Sequence, residues 1–312
     1  MNGIINKPKR PAIGADWDEK TWREVGNRVL ELAIGSSTNW DQRKPAPTGA
    51  EDILSMFSET LPEEPMGIDQ LINLVEEEVI PGAAFNGHPS WFAYITGAPL
   101  PISVIGDLLE SALNRSVALW RLSPAATAIE LQAIEGIREM VGFPARAEGI
   151  FVSGGQMANI LAHTVMRDVK TPWDTRQFGM RCPNGNAPRL RIYASAETHY
   201  CHPQAAELLG LGQESVRLVP TDDRYMMRID ALREMIAADR AKGDLPVAVV
   251  GTAGTVGTGA VDPLAEIRVV ADEEDLWFHV DGAYGAFAAL SPNRPPELDG
   301  MALADSIACD PH

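Results

Sequence analysis

Between residues 149 and 309, six short β-rich runs alternate with helix-like segments, and this alternation restricts the fold more than any other feature of the chain. The runs cover 149–153, 191–195, 215–219, 246–251, 276–281 and 305–309. Several are apolar without alternating, as expected of strands covered on both faces. Strands that alternate with helices imply an α/β fold with a mostly parallel, doubly wound sheet. Upstream, residues 16–34 read as an amphipathic helix, with Trp17, Val25, Val29, Leu32 and Ala33 at near-helical spacing. A link containing Pro45 and Pro47 leads to a second helical stretch over 68–79, which Pro81-Gly82 stops. Helical stretches over 101–117 and 124–141 then lead into the sheet. The expected organisation is an N-terminal helical arm over 1–85, with a small packed subdomain as the alternative, and a large domain over 86–312.

Composition narrows the partners. The apolar fraction of 45% is ample for a buried core, and the net charge of −17 opposes nucleic acid and anionic membranes. Cys182, Cys201 and Cys309 lie far apart and form no CxxC pair, which fits neither a disulfide framework nor a zinc site and suits a reducing compartment. The basic start, Met1 to Pro11, runs into Asp16-Trp17-Asp18-Glu19 with no apolar core, so no signal peptide is expected. No apolar run approaches the ~20 residues that span a bilayer. The expectation is a soluble, cytoplasmic protein.

Ligands of open α/β sheets bind beyond the carboxyl ends of the strands. Here those ends carry Gly154-Gly155-Gln156 before a helix, Glu197-Thr198-His199, Thr252-Ala253-Gly254-Thr255, Asp281-Gly282-Ala283 and Asp310-Pro311-His312. A glycine pair that opens a helix can bind an anion through free N–H groups, although a plain tight turn looks the same. The Walker lysine and a GxGxxG are missing, and 149–153 lacks the GxSxG elbow of a serine hydrolase. His199 and His202 stand three apart, but Pro203 is expected to break any helix joining them, and no third ligand is placed for a metal. Asp281 could simply cap a helix. Taken together, an anion-binding turn, a flat imidazole and a buried carboxylate are what a phosphorylated pyridine ring needs.

The segments Leu276-Trp-Phe-His-Val-Asp-Gly-Ala-Tyr284, Ala304-Asp-Ser-Ile-Ala-Cys-Asp-Pro-His312 and Val249-Val-Gly-Thr-Ala-Gly-Thr255 resemble the group II decarboxylases that depend on pyridoxal 5'-phosphate (PLP), a family that includes the aromatic amino acid and glutamate decarboxylases. His88-Pro-Ser-Trp-Phe-Ala-Tyr94, Ser123-Pro-Ala-Ala-Thr-Ala-Ile-Glu130 and the stretch Ser195 to His199 extend the likeness from about residue 65 to the end. The resemblance implies a fold-type-I, PLP-dependent transferase-like large domain and a homodimer with shared sites. It implies decarboxylation of an L-amino acid to a primary amine and CO2. It assigns phosphate binding to Gly154, Gly155 and Gln156, ring stacking to His199, the opposite ring face to Ala283, and the ring oxygen or substrate carboxylate to Thr252. Asp281 would pair with the pyridine nitrogen, and His312 would help hold the phosphate. An aminotransferase or carbon–carbon lyase on the same fold is one alternative, and a ligand-binding protein without catalysis is another.

The chain departs from the family pattern at its end. A lysine directly follows the Pro-His pair in the family, whereas this chain stops at His312. Lys7, Lys9, Lys20, Lys44, Lys170 and Lys242 are its lysines, and none follows a strand end beside Asp281. The expectation is a sequence cut at a modified lysine, with a mobile catalytic loop and C-terminal domain beyond it. A genuinely short, inactive chain is the alternative. Asp310 stands where aromatic decarboxylases have asparagine, and Gly97 and Ala118 stand where they place larger pocket residues, so an aromatic substrate does not follow.

Overall fold

The structure, a computed structural model, describes residues 17–46, 57, 58, 60, 63–183, 185 and 187–311. The basic start, Asp16, Pro47 and His312 lie outside the described residues. The chain forms two compact units, Met1–Leu108 and Leu109–His312.

In the first unit, helix α1 (Glu19–Thr38) begins where Asp18 accepts the Thr21 N–H at 2.7 Å, and Glu19 adds negative charge to the first turn. Helix α2 (Ile68–Leu74) runs on into a π turn over Val75–Val79, so the expected stretch 68–79 is helical throughout but changes its winding. Arg28 joins the two helices through Asp69 and Asn73. Arg43 donates to the Ile80 carbonyl and lies 4.3 Å over the Phe85 ring. Helix α3 (Pro101–Leu113) carries the boundary between the two units and ends four residues before the expected position 117.

The second unit opens with α4 (Pro124–Met140), α5 (Gly155–Lys170) and the single turn α6 (Thr175–Phe178). Among the described residues, five strands then alternate with helices. They are β1 (Leu190–Ser195), β2 (Val216–Val219), β3 (Leu245–Thr252), β4 (Trp277–Gly282) and β5 (Ser306–Cys309). Helices α7 (Cys201–Leu208), α8 (Ile229–Ala241) and α9 (Leu264–Glu273) supply crossovers. Every pairing between these strands is parallel, and the order is β2-β1-β3-β4-β5. Two expectations need correction. The run 149–153 forms no ladder among the described residues, and Ile150 and Phe151 are exposed, so apolar character there does not signal a strand. Helix α7 runs through Pro203, because proline in a first turn forfeits no intrahelical hydrogen bond.

The two sheet faces carry separate cores. Tyr193, Val249, Phe278 and Val280 pack with Leu232, Ile236, Leu264 and Ile267 of α8 and α9. Ile192, Ala194, Ala248 and Val250 pack with Ala162, Met166 and Ala206 of α5 and α7. A strand turns successive side chains to opposite faces. Phe278 and Val280 therefore enter the first core, and His279 and Asp281 face α5 and α7.

Candidate active site

The chain lays β2 outside β1, then returns past β1 to place β3 on its other side. This reversal is the topological switch point of an open α/β sheet, and it opens a crevice beyond the strand ends. His199 follows β1 and Thr252 ends β3. Asp281, one strand further, is the register partner of Thr252.

Asp281 is buried, and three N–H groups converge on it. Oδ2 accepts from His202 Nε2 at 2.9 Å and from Asn159 Nδ2 at 3.2 Å, while Oδ1 accepts from the Ala283 backbone at 3.2 Å. Burial alone would push this carboxyl up. The His202 hydrogen bond, the favourable electrostatics of the polar His202 and His279 rings, and the Ala283 N–H outweigh burial and hold its pKa at about 2. Asp281 is therefore a carboxylate at neutral pH, with Oδ1 bearing the fewer donors.

Two hydrogen-bonded chains end on this carboxylate. His163 Nε2 lies 3.0 Å from His202 Nδ1, and the rings stack with centroids 5.2 Å apart. On the other side, Asn159 Oδ1 accepts from His279 Nε2 at 2.9 Å, and His279 Nδ1 meets the Ser306 hydroxyl at 2.9 Å. Trp277 Nε1 donates to the same hydroxyl, also at 2.9 Å. Burial depresses His279 to about 4, and it drives His163 well below its ordinary value, so both imidazoles are neutral.

Gly154 has φ +122° and carries no side-chain cap, so the first N–H groups of α5 point outward free of intrahelical partners. A Cβ built at Gly154 would meet nothing within 4 Å, whereas one at Gly155 would lie 3.3 Å from the Ala283 Cβ. The helix start thus abuts the loop after β4 beside Asp281, with open space in front of it. Gln156 donates to Gln204 Oε1 on α7 at 3.1 Å. His199 is half-buried, accepts the Cys201 N–H at 3.2 Å through Nδ1, and lies 4.1 Å from the Tyr200 ring. Burial lowers its pKa against the pull of Asp281, which favours a flat neutral ring. Thr252 Oγ1 is buried without a hydrogen-bond partner among the described residues.

The second unit thus brings together Gly154, Gly155, Asp281, Ala283 and Thr252 with His199 at the switch point. Sequence reasoning overlooked Asn159, His163, His279 and Cys201, and it weighed His202 only as a metal ligand. The i,i+4 spacing of Asn159 and His163, and the two-residue spacing of His279 and Asp281, were signals that could have found them. Ligand atoms of Cys201, His202 and Asp281 lie within 4.8 Å of one another. Burial, reinforced by the Asp281 charge, pushes the Cys201 thiol up to about 12, and His202 Nε2 and Asp281 Oδ2 are already engaged with each other at 2.9 Å.

These residues fit PLP. The orphaned Thr252 hydroxyl awaits an acceptor or donor, the glycine turn offers N–H groups to a phosphate, and the ionised Asp281 suits a protonated ring nitrogen. The fold and the site define a fold-type-I PLP protein. Residues 51–312 match the model of the pyridoxal-dependent decarboxylase conserved domain, and the chain belongs to that family. It is 33% identical over 93% of its length to an aromatic-L-amino-acid decarboxylase of Bacillus atrophaeus, covering 58% of that protein. It is 30% identical over 90% of its length to an L-2,4-diaminobutyrate decarboxylase of Acinetobacter baumannii, covering 57% of it. The solved structure of mouse CSAD superposes with a TM-score of 0.86 at 29% identity, covering 95% of this chain and 61% of that one. The chain therefore spans about three fifths of the length of these relatives.

Proposed function

We propose that the protein is a PLP-dependent carboxy-lyase that converts an L-amino acid to a primary amine and CO2. The observation that carries this reading is Asp281, a buried carboxylate with a pKa of about 2 at the switch-point crevice, beside a glycine turn that opens a helix. When bound, PLP supplies an electron sink for the charge left as CO2 departs. Asp281 keeps the ring nitrogen protonated through opposite charge, which typically raises such a pKa by ~1–3 units. The α5 N–H groups at Gly154 and Gly155, with Gln156, hold the phosphate, and His312 adds to that grip. His199 stacks on one ring face and Ala283 packs on the other. Thr252 offers its hydroxyl to the ring oxygen or to the substrate carboxylate.

The two curated relatives are named for an aromatic and for a diamino substrate, so the reading stops at the class of L-amino acid. We extend it to a cytoplasmic homodimer with shared sites, in which residues 1–85 form an arm and 86–312 the cofactor domain. Free thiols at Cys182, Cys201 and Cys309 support a reducing compartment. Helix α3 supports the dimer, because none of its residues is buried and Ile102 and Leu109 are 74% and 58% exposed.

The test uses the protein with every residue its gene encodes. PLP and a panel of L-amino acids are supplied, and CO2 and amine are measured together. Release of both in equal amounts supports the reading, and a keto acid without CO2 overturns it. Light scattering should give twice the protomer mass, and Leu109→Asp should halve it.

A further inference from the structure

The Asp281 carboxylate is gripped by buried side chains of α5 and α7. His202 is wholly buried in the first turn of α7 and donates to Oδ2, since an ionised carboxylate only accepts. In its neutral form His202 then has Nδ1 as an acceptor, and His163 Nε2–H fills it at 3.0 Å. This leaves His163 Nδ1 as a bare lone pair, and that atom is buried without a partner among the described residues. The opposite orientation would bury an unsatisfied N–H at the same place, a costlier arrangement. With His202 neutral, the donor direction runs from His163 through His202 to Asp281.

We infer that His202 is a positioning residue for Asp281, that its Nε2–H occupies Oδ2 and turns Oδ1 toward the cofactor nitrogen, and that His163 fixes the tautomer in which it does so. This rests on the PLP reading given above. The groups that face Asp281 are His202 and Cys201 from α7, Asn159 and His163 from α5, His279 from its own strand and His199 from the loop after β1. Among them, His202 and Asn159 are the side chains that donate to the carboxylate, and His202 makes the shorter contact. Without the His202 donor, burial of Asp281 is less opposed, and the proton shared with a ring nitrogen shifts toward the carboxylate.

The test compares two ligands on the full-length apoprotein by tryptophan fluorescence. One is PLP, and the other is its carbocyclic analogue with C–H in place of the ring nitrogen. The wild-type protein should prefer PLP by about ten- to hundredfold, the range of one hydrogen bond between charged groups. His202→Phe should lose most of that preference through weaker PLP binding alone, and His202→Gln, which returns an N–H near the Nε2 position, should recover it. Equal preference in wild type and His202→Phe overturns the inference and leaves the PLP reading standing. No preference in the wild type overturns the reading of Asp281 itself. Should His202→Phe fail to fold, 15N spectra of the wild-type imidazoles decide: His163 and His202 should both carry their protons on Nε2, and a bare Nε2 on His202 overturns the inference.

Discussion

Asp262 accepts the backbone N–H of Thr252 at 2.8 Å, so a buried carboxylate beyond β3 holds the strand end that presents the Thr252 hydroxyl. The other oxygen of Asp262 accepts the Met227 N–H at 2.7 Å. Burial is the largest influence on this acid and lifts it to about 6, against the two backbone hydrogen bonds. Asp262 and Asp281 are both buried, yet they are displaced in opposite directions because Asp281 receives imidazole and amide donors.

These shifts set opposite pH dependences. The native protein binds the Asp262 proton more tightly than the unfolded chain, so this group's contribution to stability falls as pH rises from about 4 to about 6, by about 3 kcal/mol in all. Asp281 behaves the other way: its contribution is complete above about pH 4 and is lost as pH falls toward 2. Burial of neutral His163 and His279 favours the native state as pH rises over the same interval, so the Asp262 effect shows as a difference: in urea melts between about pH 4 and pH 7, the stability of wild type minus that of Asp262→Asn should fall as pH rises. Parallel stability curves for the two proteins would contradict the Asp262 assignment.

Thr252→Val replaces an orphaned buried hydroxyl with a methyl of similar size. Because that hydroxyl makes no hydrogen bond of good geometry and has only a weak interaction with Asp262 to lose, the apoprotein should stay within about 1 kcal/mol of wild type. PLP affinity or turnover should nevertheless fall, by roughly tenfold for one lost hydrogen bond. Melting temperature and kcat/KM measured side by side separate the two effects.

Asp281→Ala removes the acceptor of three N–H groups, and on the proposed function the partner of the ring nitrogen. Turnover should drop by at least ~10³-fold, equivalent to about 4 kcal/mol of transition-state stabilisation. PLP should bind weakly as well. A variant with near-normal rate would remove Asp281 from the site.

Gly154→Ala forces a side chain onto a backbone with φ +122° and projects a methyl into the open space before α5. The strain should cost about 1–3 kcal/mol of stability. Inorganic phosphate and PLP should both bind more weakly, whereas Gly142→Ala, also at positive φ but at the end of α4, should be strained without any change in binding.

Much of the fold was legible because its signals are local. Apolar runs such as Val247–Val250 and the turn chemistry after each strand marked five of the six expected strands within one or two residues. The run 149–153 misled because apolar residues mark a strand only where a neighbour completes the ladder. Asp281 and the glycine turn could be read from motif and position. The network behind Asp281 could not be read as such, since Asn159 and Asp281 are 122 positions apart and meet only when α5 settles on β4. Pro203 hid His202 for a different reason, because a first-turn proline and a helix-ending proline look alike in the sequence.

The reversal in strand order has a consequence for how the protein matures. The proposed cofactor pocket draws on the loop after β1, the end of β3, the end of β4 and the start of α5, so no single strand-helix unit contains it. If that proposal holds, a nascent chain captures its vitamin-derived partner only once the last of these pieces has docked. Uptake of that partner should therefore report completed assembly, and length changes in the loops at the opposite strand ends should leave it untouched.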